Sequence, residues 1–141
     1  MAPDVTVGGR PALPPASVRR VVRAVVAAER PRRPLTQLSI TFLGPLRMRR
    51  LNRRHLHHDR VTDVIAFALR LPDGALAGDV YVCRAVADRQ AREAGRPLRE
   101  ELIRLIIHGT LHVLGHDHPA GPGRMRSAMW HRQERLVGRL A

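Results

Sequence analysis

Apolar positions along this chain follow two rhythms that alternate from segment to segment. Val18, Val21, Val22, Val25 and Val26 fall at helical spacing, with Arg19, Arg20 and Arg23 between them, which predicts an amphipathic helix. Ser17 is placed to cap it, and Arg30-Pro31-Arg32-Arg33-Pro34 ends it. Ahead of it, Met1–Val7 predicts a short strand with Val5 and Val7 on one face, and residues 8–15 a loop. Leu35–Leu43 alternates Leu38, Ile40 and Phe42 with Ser39 and Thr41, the pattern of a strand buried on one side. Gly44-Pro45 turns the chain into a second helix, Leu46–Leu56, and His55–Arg60 reads as loop. Thr62–Leu69 is a largely apolar strand that returns, through a turn at Pro72-Asp73-Gly74, as Gly78–Cys83. The two predict a β-hairpin with a loop of several residues. Arg84–Ala94 is helical up to Gly95, and Pro97 opens the helix Leu98–Leu114. A loop over Pro119–Gly123 leads to a closing helix, Met125–Leu140, with Met129, Leu136 and Leu140 inward. No internal repeat or second boundary interrupts the order, so residues 1–141 are expected to form a single domain.

The helix Leu98–Leu114 is apolar on nearly every side, which predicts burial at the centre of the domain. One stripe departs from this: Glu101, Arg104, His108 and His112 share a face, and Glu100 can pair with Arg104 across one turn. Buried polar groups need partners, so the stripe is expected to face a ligand, a metal or a cleft.

Its histidines continue into a pattern, H-x-x-x-H-x-x-G-x-x-H, over His108, His112, Gly115 and His118. A step of four residues puts His108 and His112 on one helical face, within reach of one ion. Gly115 can end the helix at positive φ and turn His118 back towards them. Three imidazoles with an open fourth position describe a catalytic zinc site rather than a closed structural one. The spacing matches the long zinc-peptidase pattern, except that Gly109 stands where those enzymes carry their glutamate base. His116, Asp117 and His58 are the remaining candidates for a general base.

Composition adds a partner class. The 141 residues carry a formal net charge of +13, and all 25 basic side chains are arginine. This balance suits a polyanion such as RNA or a ribonucleoprotein surface. Arg47, Arg49, Arg50, Arg53 and Arg54 concentrate the charge on the second helix, where they can hold phosphates. Aromatic residues are too few for a base-stacking platform of the single-strand-binding kind. A lone Cys83 suits a reducing compartment, and neither a secretory leader nor a membrane-spanning run is visible, so a cytoplasmic location is expected.

HGTLHVLGHDH resembles the signature H-G-x-L-H-L-x-G-Y-D-H of the YbeY family of bacterial endoribonucleases. LNRRH, TDVIAF and GDVYV precede it in the family's order and spacing, so the resemblance spans nearly the whole chain. It implies a zincin-like α+β fold, a small mixed sheet of about four strands with about five helices, in which a buried central helix carries the metal ligands. It implies one Zn2+ per chain on His108, His112 and His118, and zinc-dependent cleavage of single-stranded RNA in 16S rRNA 3′-end maturation and ribosome quality control. RNA and the ribosome, ribosomal proteins among its components, would be the partners, with no membrane involved. Thr62–Phe67 would line the cleft floor, Asp79 would support the ligands from behind, and Arg47, Arg50, Arg53 and Arg54 would contact RNA. The chain departs from the family pattern at His55, Leu56, Val61, Ala66 and His116. Leu56 replaces an arginine that serves RNA cleavage in the family. Two other readings fit parts of the sequence: a zinc-stabilised, non-catalytic ribosome- or RNA-binding module, and a metallopeptidase.

Overall fold

The computed structural model of the chain describes residues 2–117, 123 and 127–141. Strands β1 (Asp4–Gly9), β2 (Leu35–Leu43), β3 (Val64–Arg70) and β4 (Leu76–Cys83) form a sheet in the order β1-β2-β4-β3. β1 and β4 run parallel to β2, whereas β3 and β4 are the expected antiparallel hairpin. Helices α1 (Pro15–Glu29), α2 (Pro45–Leu56), α3 (Arg84–Ala94), α4 (Leu98–Val113) and α5 (Ala128–Leu140) complete the described elements, giving the mixed α+β architecture. Among the described residues no helix is long and apolar enough to cross a membrane.

The differences from the sequence expectations are local. β1 runs on to Gly9 because its parallel register with β2 continues through Gly8 and Gly9. α1 begins at Pro15, ahead of Ser17, since a proline at the first helical position gives up only an N–H that would lack a partner there. Ser17 therefore lies inside the helix and does not cap it. Pro97 precedes α4 as its cap, and Leu114 closes it. The described part of the last helix starts at Ala128, where Ser127 Oγ accepts from the Trp130 N–H at 3.1 Å. Met125 and the predicted loop, apart from Gly123, lie outside the described residues.

Side chains alternate across the sheet and split it into two faces. Leu38, Ile40, Val80 and Val82 join α1, α4 and α5 in the main core, where Leu102, Ile103, Ile106, Ile107 and Leu111 of α4 are buried. Each of these large side chains stabilises the fold by about 1.5–3 kcal/mol. The other face is covered in part by α2 through Met48 and Leu51, packed with Ile65, Phe67, Tyr81, Cys83 and Val86. α4 and α2 thus lie on opposite faces of the sheet, with the outer strand β3 between them.

Two glycines bring α4 down onto the sheet. A Cβ at Gly109 would stand 2.5 Å from Val80 Cγ1, and one at Gly78 would stand 2.6 Å from Val113 Cγ1. Helical propensity favours alanine over glycine by about 1 kcal/mol, but overpacking a core costs about 1–3 kcal/mol. Val80 is β-branched and buried, so it has little room to yield. Gly109→Ala is accordingly expected to lower stability by about 1–2 kcal/mol in urea unfolding. An unchanged or raised midpoint would mean that the sheet moves aside.

Candidate metal centre and nucleic-acid interface

With Gly109 and Val113 facing the sheet, His108 and His112 stand about 100° round the helix from them, on one flank of α4. Their ring centroids are 4.8 Å apart and the rings are nearly perpendicular. His108 is buried and His112 half-buried. After Leu114 the chain turns at Gly115 with φ 102, where the Gly115 and His116 N–H groups bond back to the carbonyls of His112 and Leu111. This is the glycine turn that the sequence predicts. His118, the third candidate ligand, lies outside the described residues. No group of three metal-binding side chains is gathered among the residues that are described.

The sequence reading missed α5 as a partner of the histidines. His108 Nδ1 lies 2.6 Å from Oε1 of Gln133, which is buried to 1% exposure. Gln133 Nε2 donates to Glu134 Oε2 at 3.0 Å, and Arg104 holds both oxygens of Glu134, at 2.9 and 3.0 Å. Arg104 also reaches Glu101 at 2.9 Å and Glu100 at 3.3 Å, which realises the expected Glu100–Arg104 pair. Burial alone would push the Glu134 carboxyl up, but hydrogen bonds from Arg104 and Gln133 outweigh it and hold the pKa below the usual glutamate value. Burial likewise opposes the Arg104 charge, and Glu134 and Glu101 outweigh it and raise the guanidinium's pKa. The polar stripe of α4 therefore divides. Glu101 and Arg104 are answered by ion pairs within the protein rather than by a ligand or cleft, which corrects the sequence expectation for that half. The histidine half keeps the chemistry. One signal for Gln133 was available: a polar side chain inside the apolar row Met129, Leu136 and Val137.

The donor set fits a transition metal as far as it is described. His108 and His112 present two imidazoles from one flank of α4, and the Nδ1 of His108 faces the Gln133 amide oxygen, the arrangement common behind metal-binding histidines.

Other sequence candidates are placed elsewhere. His116 Nε2 lies 2.5 Å from Glu29 Oε1 at the end of α1, and Arg132 holds the other oxygen of that carboxylate, so His116 ties α1 to the turn after α4. Asp117 is exposed. His58 is exposed beyond α2, its N–H directed to the Asn52 carbonyl. Asp79 accepts from Ser39 Oγ at 2.6 Å and sits between Gly78 and Val80, which face α4, so its side chain is on the opposite side of the sheet from the histidines. The side chain that meets His108 is Gln133 instead. Of the Thr62–Phe67 segment, Val64 and Ala66 pack on the α4 side while Ile65 and Phe67 pack towards α2. Only alternate residues can line a floor beneath α4.

Arg47, Arg50, Arg53 and Arg54 are exposed on α2. Arg47 also lines a cavity of about 730 Å³ with Arg10 and Arg84, beyond the carboxyl ends of β1, β2 and β4. Arg49 is engaged in a two-pronged pair with Asp59, at 2.8 and 3.2 Å, which folds the following loop onto the helix and holds the Asp59 carboxyl below its usual range. Asn52 secures the same loop through the Arg60 carbonyl. Leu56 ends α2 with 42% of its surface exposed, and its neighbour His55 meets Phe67 of β3 edge-on at 5.5 Å. Phe67 pairs with Asp79, while Gly109 packs on Val80 one residue further along β4. α2 and α4 thus pack on opposite faces of β3 and β4.

The sequence model of the family described as Endoribonuclease YbeY matches residues 12–141. An Endoribonuclease YbeY of Syntrophotalea carbinolica is 35% identical over 112 residues, covering 76% of this chain and 75% of that protein. One from Anaeromyxobacter sp. is 43% identical, covering 72% of this chain and 56% of its own. Another from Burkholderia ambifaria is 41% identical over 83 residues, and there the match spans about half, 47%, of the relative's length. The solution structure of TM1509 from Thermotoga maritima shares the fold, with a TM-score of 0.67 at 24% identity over 96% of this chain and 88% of that one.

Proposed function

Because the chain belongs to the YbeY endoribonuclease family, we propose that it is a metal-dependent endoribonuclease that cuts single-stranded RNA. The observation that carries this reading is the His108–His112 pair, with the Nδ1 of His108 committed to Gln133. Zinc is the proposed ion, one per chain, with His118 as third ligand; when bound, it would supply a water of pKa about 7 or polarise a phosphoryl oxygen. His108 and His112 would hold the ion from one flank of α4. The arginines of α2 hold the RNA backbone, which positions the strand without reading its sequence. None of the candidates His116, Asp117 and His58 is assigned the role of general base; His116 is paired with Glu29.

We place the biological substrate at the 3′ end of 16S rRNA, with ribosome quality control as the setting and the cytoplasm as the location; the resemblance of the motifs supports this. The metallopeptidase reading loses ground, because position 109 faces the sheet and has no room for the glutamate base. The binding-module reading draws on Leu56. Incubating the purified protein with single-stranded RNA, duplex RNA and a peptide, each with zinc and with a chelator, separates the three: chelator-sensitive cutting of single-stranded RNA alone is expected.

The binding half has its own test. Arg50 and Arg53 are exposed one turn apart. Replacing both with Ala should weaken RNA binding and reduce the slope of log affinity against log salt by about 1.4, at about 0.7 per single-strand phosphate contact. An unchanged slope in filter binding would assign them to the solvated surface.

A further inference from the structure

We propose that Gln133 is a positioning residue for the metal centre, fixing His108 in the tautomer whose Nε2 carries the lone pair. The inference rests on His108 being a ligand, and it follows from which groups can donate. A carboxylate only accepts hydrogen bonds, so the Gln133 amide nitrogen must be the atom facing Glu134 Oε2. The amide oxygen then faces His108, and an amide oxygen also only accepts. Nδ1 at 2.6 Å must therefore carry the hydrogen, which leaves the lone pair of the neutral ring on Nε2.

The orientation of the amide is fixed in turn. Arg104 grips both oxygens of Glu134 and is itself held by Glu101 and Glu100 on α4. Gln133 is buried, so turning its amide over would set oxygen against oxygen at Glu134 and leave that contact unrelieved. A chain of hydrogen bonds thus leaves α4 at Arg104, crosses to α5 through Glu134 and Gln133, and returns to α4 at His108, one turn further on. Partners of this kind are worth about 10–100-fold in metal affinity.

The experiment reads the ring and the metal separately. In metal-free protein with ¹⁵N-labelled histidine, NMR should show His108 as the Nδ1–H tautomer. Gln133→Leu should move it towards the Nε2–H form that prevails in free imidazole, and chelator competition at constant pH should show zinc affinity lower by about 10–100-fold. Glu134→Gln keeps Gln133 but gives its amide a neighbour that can donate, so the ring should populate both tautomers; this variant carries the test if Gln133→Leu does not fold. A folded Gln133→Leu protein with His108 still in the Nδ1–H form and zinc affinity unchanged would overturn the proposal, leaving Gln133 as packing alone. A changed tautomer with unchanged zinc affinity would overturn the ligand role of His108 itself and, with it, the positioning role.

Discussion

Purified His112→Ala protein should lose its bound metal and cut single-stranded RNA at least about a thousandfold more slowly than the native chain, because metal stabilisation of the transition state is worth several kcal/mol. His112 is half-buried on the last turn of α4, beside His108, and alanine is the best helix former. The fold should therefore survive the change, and unfolding curves should stay within about 1 kcal/mol of the native ones. That combination, intact fold with absent metal, separates loss of a ligand from loss of structure. Elemental analysis together with the RNA assay checks it. A variant that keeps a full complement of metal would move the ion to other side chains, and one that keeps cutting without metal would remove the ion from the chemistry.

The second large effect is a gain. Leu56→Arg should raise RNA cleavage by about a hundredfold, the usual value of one preorganised charge donor at a developing oxyanion. Leu56 is exposed at the carboxyl end of α2, so the longer side chain displaces no core packing. A cation there also complements the helix dipole, worth about 0.3–1 kcal/mol. Metal content should not change, since position 56 is not one of the proposed ligands. His108→Ala in the same background should abolish the gain. Vigorous native cleavage that Leu56→Arg leaves unaltered would assign the charge to a neighbour, with Arg53 one turn back and Arg60 just beyond as candidates. Absence of cleavage by either protein with zinc bound would favour the binding-module reading.

Much of this site is written in local spacing. The four-residue step of His108 and His112, the glycine turn at 115 and the polar stripe on an otherwise apolar helix all follow from helical geometry, and the structure keeps each of them. The alternation of β2 likewise foretells which of its residues reach the core. What could not be read depends on contacts between distant segments. Asp79 lies next to core residues in sequence, but its face follows from which neighbours meet α4, and that is decided by packing. Gln133 and His108 are 25 residues apart, and only the folded position of α5 joins them. Arg104 shares the histidine face yet is answered by Glu134 of α5, while Glu101 is answered by Arg104 and Arg96. The pairing of His116 with Glu29 spans 87 residues and was equally invisible.

The close seat of α4 on β4 also bears on how such proteins can change over evolutionary time. The histidine frame here differs from that of zinc peptidases at one ligand-adjacent position, and two of the four glycine codons are a single base change from glutamate codons. In this fold that step meets resistance, because even the first carbon of a side chain at position 109 would meet Val80. A lineage would first have to shrink Val80, loosening the contact between helix and sheet and losing stability with no new activity in return. The two chemistries are neighbours in sequence but lie on opposite sides of a valley in fitness, and an engineer who wants to cross it should begin in the strand, at Val80, rather than in the helix.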